Sequence, residues 1–443
     1  MKKLLALSTA MLMAGMANAT DLSTIYQRAV ANDAEVAAAR ATREANGYNV
    51  MTARGGLLPQ AQLSYSKTKV DSESEQYNAS NGTFFDVDRN ETLDKLALEA
   101  SQALFDLNSW YTYKAAVAGD DAAAYQLQLA EQDLLLRTAK AYFDVLRAQE
   151  NLSTAQAEEK AVGRSLEQTK QRFEVGLIAV TEVLEAQATY DLTAVNLIGQ
   201  EAALDISYEA LEVLTGERYS DVAPLRDDVQ MQMPAPAAVS DWVASGLAKY
   251  AGIRLAQANR ESVRLQRNAT RSNHLPTVKL VASYENSDQP AAVGDPREST
   301  TQAIGVQLSV PLLAGGSLYG QSKQAASQLA AADYQLESQR RQAKQNIRSL
   351  FRQVQTDVRN VKARKQAIAS AESALEATET GYEVGTRNIV EVLDAQRNLF
   401  SAKRDYANAR YDYIINLLNL KFYAGTLNEG DIAQLNDWLQ TQA

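Results

Sequence analysis

The chain has 443 residues and a formal charge of −10, a balance that argues against nucleic acid, whose phosphates demand clustered Lys and Arg. It contains no cysteine, which excludes disulfides, thiolate metal sites and a lipid anchor on a mature N-terminal Cys. Past the first nineteen residues no run of 18 apolar residues occurs, so no transmembrane helix is expected.

The start reads as a secretory signal peptide over residues 1–19: Lys2 and Lys3, an apolar run over Leu4–Ala14, and the small-x-small step Ala17-Asn18-Ala19. The mature chain would begin at Thr20, outside the cytoplasm, and be more negative still. Residues 22–54 read as one helix, stopped by Gly55-Gly56. After Leu58-Pro59 the period changes to two, with Ala61, Leu63 and Tyr65 alternating against Gln62, Ser64 and Ser66. Strands are expected over 60–68 and 94–104, with residues 69–92 as a polar loop. Asp106, Asn108 and Ser109 are candidate caps for a long helix that runs to about 170, about 90 Å at 1.5 Å per residue. A turn at Gly176 leads to a second long helix over about 181–215, ended by Gly216.

The order then repeats. A linker with Pro224, Pro234 and Pro236 precedes a helix over about 240–272. Leu275-Pro276 echoes Leu58-Pro59, strands are expected over 277–285 and 302–311, and a loop over 286–300 joins them. Gly315-Gly316 breaks into a helix over 317–379, and a tip at Gly385 leads into a last one over 389–421. Gln171-Arg172-Phe173-Glu174-Val175-Gly176 with Val180-Thr181-Glu182-Val183-Leu184-Glu185-Ala186-Gln187 matches Gly381-Tyr382-Glu383-Val384-Gly385 with Ile389-Val390-Glu391-Val392-Leu393-Asp394-Ala395-Gln396, 209 residues on. Between proline and long helix the offset slips from 217 to 208, so the first hairpin carries about nine extra residues. Leu127, Leu134, Ala141 and Ala148, then Leu329, Leu336, Ala343 and Leu350, recur every seven residues, the spacing of coiled-coil packing or of an ordinary helical bundle. Two quasi-equivalent units fit an assembly better than a single catalytic pocket. The expected domains are therefore a signal peptide 1–19, a first repeat 20–218, a linker 219–239, a second repeat 240–426 and a C-terminal tail 427–443.

A tilted strand of ten residues spans a membrane, but four strands cannot close a barrel, and an open edge is forbidden in lipid. Membrane strands would therefore require oligomerisation. Patterning alone leaves open a small soluble sheet capping a helical bundle. Glu391 and Asp394 lie three apart on one helical face, as do Glu182 and Glu185, either as a functional acidic surface or as wet helix. Arg387 sits at a helix start, where a cation is unfavourable without a partner. His274 is the only histidine and has no support for a triad or metal cluster. No catalytic, cofactor or metal site is expected.

Arg172-Phe173-Glu174-Val175-Gly176, Thr181-Glu182-Val183, the run Tyr382–Ala395, both Leu-Pro steps and Asn408-Ala409-Arg410-Tyr411-Asp412-Tyr413 resemble the TolC family of trimeric outer-membrane efflux proteins, over essentially residues 20–427. The resemblance implies an all-α long coiled-coil helical barrel plus a membrane β-barrel, with two internal repeats, four membrane strands per protomer and twelve in the homotrimer, and the linker in an equatorial region. It implies a channel-tunnel in the cell outer membrane with a long periplasmic portion and no enzymatic activity. Its implied partners are outer-membrane lipid, a periplasmic adaptor, and an inner-membrane RND, ABC or MFS transporter, exporting drugs, bile-salt-like compounds or proteins. It places an acidic pore ring at Glu391 and Asp394, to which Glu182 and Glu185 either add or lie off-axis. It implies an entrance lock in which Tyr382 and Arg387 bond Thr181 and Glu182 of the neighbouring hairpin, with glutamate at 182 where the family has aspartate, and adaptor-facing helix tips at Gly176 and Gly385. Two other classes remain open on the residues alone: a soluble periplasmic coiled-coil structural or adaptor protein, and a secreted glycan hydrolase using acid pairs.

Overall fold

The computed structural model describes residues 20–289 and 297–440; the expected signal peptide, the far end of the second hairpin loop and the last three residues lie outside the described residues. The chain divides into two compact units. One holds Arg40–Tyr125 and Arg254–Gln339; the other holds the residues up to Ala39, Gln126–Ile253 and those from Arg340 on.

The first of these contains a four-stranded antiparallel sheet in chain order, β1 (Gln60–Asn78), β2 (Thr83–Phe105), β3 (Thr277–Gln289) and β4 (Arg297–Ser309), so β1 and β4 are its edges. Register places Leu63 opposite Leu98, and Leu98 opposite Tyr284; Ile304 faces Ala282, Val306 faces Leu280 and Leu308 faces Val278. Because side chains alternate, these residues share one apolar face. The other face carries Gln60, Gln62, Glu99, Ser101 and Ser283 around a space of about 460 Å³.

The strands correct the expected limits. β1 and β2 stay paired from Gln60↔Ser101 to Asn78↔Thr83, so most of residues 69–92 is a two-stranded ribbon and not a loop. Beyond Lys69 the ribbon is mostly polar, with Val70, Tyr77, Phe84 and Phe85 in no sustained alternation, which hides the period-two signal, while backbone pairing needs no apolar side chain. It turns at Gly82, whose φ of +71° suits glycine. The extra residues of the first hairpin thus lengthen strands.

Below the sheet, Asp106 starts α3 (Leu107–Glu174) by accepting from the Asn108 and Ser109 backbone at 3.0 and 3.2 Å and from the Ser109 hydroxyl at 2.7 Å. Asn108 donates to the Ala269 carbonyl at 3.0 Å and to Asn273 at 2.8 Å. His274 lies 3.2 Å from the Ser322 hydroxyl at the exposed start of the second hairpin.

Two expected helices are each broken once. Residues 22–54 form α1 (Leu22–Asn32) and α2 (Ala34–Gly55), because Asp33 leaves the helix and caps α2 by accepting from Val36 at 2.8 Å. Its buried carboxylate pairs with Arg137 at 3.2 Å. Residues 240–272 form α5 (Val239–Lys249) and α6 (Ala251–Ser272), broken at Tyr250, whose ring packs edge-on against Phe422 at 5.6 Å. Both breaks sit at the same place relative to their Leu-Pro steps. No proline marks either, and the glycine closest to a break, Gly252, makes room for the Tyr250 ring, which a Cβ there would approach to 2.7 Å.

The remaining helices are α4 (Val180–Thr215), α7 (Ser317–Glu383), α8 (Ile389–Tyr423) and α9 (Glu429–Asn436). In the second unit a core forms from Leu22, Ile25, Tyr142, Phe143, Leu211, Ile347, Val354, Tyr411, Ile414 and Leu420. The sevenfold positions Leu134, Leu336 and Ala343 are buried. Residues beyond 427, expected as a tail, hold α9, which a capping box between Asn428 and Asp431 starts and whose Ile432 and Leu435 enter this core. Leu439 then bridges Leu225. Among the described residues no helix is long and apolar enough to cross a membrane.

Candidate functional site

Two tight helical hairpins end in the same geometry. At the first, Leu177 N–H donates to Arg172 O and Gly176 N–H to Phe173 O, both at 2.9 Å. At the second, Thr386 N–H donates to Gly381 O at 2.8 Å and Gly385 N–H to Tyr382 O at 3.2 Å. Each is a Schellman end, which needs a left-handed residue, and Gly176 and Gly385 supply it with φ of +77° and +80°. The repeated sequence therefore encodes a repeated turn.

The return helices differ. Asn388 caps α8 by accepting from Glu391 N–H at 3.0 Å, whereas Ala179 precedes α4 with no side-chain cap. The tips rest on a small apolar cluster of Val162, Leu166, Ala186, Tyr382, Ile389, Val392 and Leu393. Beside it, Gln396 is buried and donates to Ser165 Oγ at 3.0 Å and Glu379 at 3.4 Å, joining α3, α7 and α8. A groove of about 650 Å³ runs past Ser165, Gln168, Glu379, Tyr382 and Gln396.

Glu391 and Asp394 stand in the first two turns of α8. Each meets a nearby arginine: Arg387, just before the Asn388 cap, pairs with Glu391, and Arg397 of α8 with Asp394. All four side chains remain more than a third exposed, so these pairs hold the carboxylates only loosely. Glu182 and Glu185 occupy the matching turn of α4, Glu182 half-buried and Glu185 exposed. Within one chain Arg387 turns to Glu391, and the Tyr382 hydroxyl is buried with no hydrogen-bond partner. Thr181 is exposed. The single chain thus brings Arg387 and Glu391 together, and it does not join Tyr382 to Thr181 or Glu182.

Sequence reasoning gave Arg172 no role of its own. Its guanidinium lies over the Tyr382 ring, 4.5 Å from the centroid, and donates to the Tyr382 and Glu383 carbonyls at 3.3 and 3.4 Å. A signal existed in the repeat. The register mates of Arg172-Phe173 are Gly381-Tyr382, so the two tips differ at the two positions that meet. Gly381 has its own reason: a Cβ there would stand 2.7 Å from Arg387 Cγ.

The sequence pattern of the family described as outer membrane efflux protein matches residues 25–217 and again 244–426. The chain is 37% identical over 451 residues to the outer membrane protein TolC of Salmonella enteritidis, spanning 99% of this chain and 89% of that protein. It is 37% identical over 448 residues to TolC of Vibrio cholerae, spanning 99% of each. The crystal structure of the Vibrio cholerae outer membrane protein VceC has the same fold, with a TM-score of 0.79 at 20% identity over 91% of this chain and 96% of that one.

Proposed function

Because this chain belongs to the outer membrane efflux protein family, a family of outer-membrane channel-tunnels and not of enzymes, we propose that it works as a homotrimer. The observation that carries this is the sheet. It has one apolar face and two open edges, β1 and β4, and lipid tolerates the first and not the second. Three copies join β4 of one protomer to β1 of the next and give twelve strands around a polar lumen. The first and second repeats, 20–218 and 240–426, supply one hairpin each, and the helices below form the periplasmic tunnel.

The paired tips are the periplasmic entrance. Glu391 and Asp394 form the acidic ring there, six carboxylates in a trimer, attracting cations and repelling anions. Tyr382 and Arg387 reach Thr181 and Glu182 of a neighbouring hairpin to hold the entrance shut. The exposed Arg387 supports this, since only a loose pair with Glu391 holds it within one chain, whereas the buried, unpaired Tyr382 hydroxyl gains a partner in the lock only if its side chain shifts. Gly176 and Gly385 present the tips to a periplasmic adaptor, which links the duct to an inner-membrane RND, ABC or MFS pump for efflux or secretion. Mass measurement in detergent should give three protomers, and the purified trimer should conduct ions across a planar bilayer. A stable membrane-inserted monomer, or a trimer without conductance, would reject the proposal.

A further inference from the structure

We infer that Arg172 is a positioning residue of the entrance: it clamps the two hairpin tips of one protomer together and holds the Tyr382 ring in its inward pose. The inference rests on reading these tips as the entrance, and it adds a contact inside each protomer to the lock between protomers. One guanidinium makes three interactions. It covers the Tyr382 ring at 4.5 Å and donates to the Tyr382 and Glu383 carbonyls at 3.3 and 3.4 Å. Those carbonyls are at the C-terminal end of α7, where the helix dipole favours a cation. The planar fork suits two neighbouring carbonyls and a ring face together, which a lysine ammonium cannot match.

Tyr382 needs such a partner. It is 7% exposed, and its hydroxyl is buried and unpaired, an arrangement that disfavours the pose unless ring contacts hold it. The apolar cluster of Val162, Leu166, Ile389 and Val392 receives the ring, and Arg172 covers it. The consequence is mechanical. If the α7–α8 tip moves away from the α3–α4 tip, the guanidinium must leave both carbonyls and the ring, so the clamp resists opening. The clamp is asymmetric within the chain, because the register mate of Arg172 is Gly381 and the reciprocal contact cannot form.

The test is resting conductance of the intact trimer in planar bilayers, with its mass checked in detergent. Arg172→Gln should raise resting conductance several-fold without loss of trimer. Arg172→Lys should give a smaller rise, because it restores charge at the carbonyls without the fork. Tyr382→Phe keeps the ring, so Arg172→Gln should retain its full effect in that background. Tyr382→Leu removes the ring, so adding Arg172→Gln should change little further. Wild-type conductance in both Arg172 variants would overturn the clamp, as would full additivity of Arg172→Gln with Tyr382→Leu. The lock between neighbours has separate readouts. If Tyr382→Phe and Glu182→Ala leave conductance unchanged while Arg172→Gln raises it, that lock fails and the clamp stands.

Discussion

Tyr142 is fully buried and donates to the Ala223 carbonyl at 2.7 Å; Tyr411 is 2% exposed and meets Glu150 at 3.3 Å. Burial pushes both phenols above their ordinary range, and it pushes Tyr250 up to about 12. The folded state therefore keeps these protons at pH values where the unfolded chain gives them up. Their contribution to stability is complete below pH about 10 and is lost as pH rises from there through the folded values. Thermal unfolding midpoints should fall steeply above pH about 10, and Tyr250→Phe should flatten that fall between about 10 and 12. An unchanged slope would show that Tyr250 is not among the groups responsible. At the proposed entrance, Glu391→Ala with Asp394→Ala should move the reversal potential across a salt gradient most of the way toward zero. The same change at Glu182 and Glu185 should have a smaller effect if they lie off the axis, and unchanged reversal potentials in the first variant would refute the ring.

At the scale of elements, strand register assigns each side chain of the sheet to one of two faces, which the proposed barrel turns to lipid and to lumen. Ile304 is 79% exposed in one chain and lies on the apolar face, while its neighbour Gly305 lines the polar one. Ile304→Arg should cost about 2–4 kcal/mol if it sits near the bilayer midplane, read as lower unfolding midpoints in lipid. Gln307→Arg, on the other face, should cost far less. Equal costs would mean that the sheet does not divide lipid from water. Helix ends follow a similar logic of local chemistry. The Schellman turns at Gly176 and Gly385 are written in the sequence, but the breaks at Asp33 and Tyr250 depend on Arg137 and Phe422, which are far away along the chain.

At the scale of the whole molecule, α4 carries the clearest mark of assembly. Leu184, Leu192, Val195, Ile198, Ile206 and Val213 are all exposed in one chain. At 100° per residue they fall within roughly a third of the helix circumference, an apolar stripe interrupted only by Asp191 and Glu209 near one edge. Such a stripe on a periplasmic helix is covered, in the proposed trimer, by the neighbouring protomer. Leu192→Glu with Ile206→Glu should therefore shift the detergent mass from three protomers toward one while leaving helix content unchanged. A trimer that survives both substitutions would place the protomer interface elsewhere.

The sequence by itself determined the repeat, the long helices, the two glycine turns and the family, because each rests on local chemistry or on spacing along the chain. Leu58-Pro59 and Leu275-Pro276 marked where helix gives way to strand, and Asp106 marked where helix resumes. Residues 69–92 were misread because the two arms of this hairpin are paired through backbone groups, and their mostly polar side chains show no sustained alternation. Asp33 and Tyr250 broke helices whose composition favours continuation, since a buried ion pair and an aromatic contact outweigh propensity. Helix α9 was hidden because its eight residues are too few to show a period, while its burial depends on the core it joins. The acidic and lock residues could be named from the repeat and the resemblance. The place of Arg172 could not, because a guanidinium reaching a ring and two carbonyls some 210 residues away is a product of packing alone.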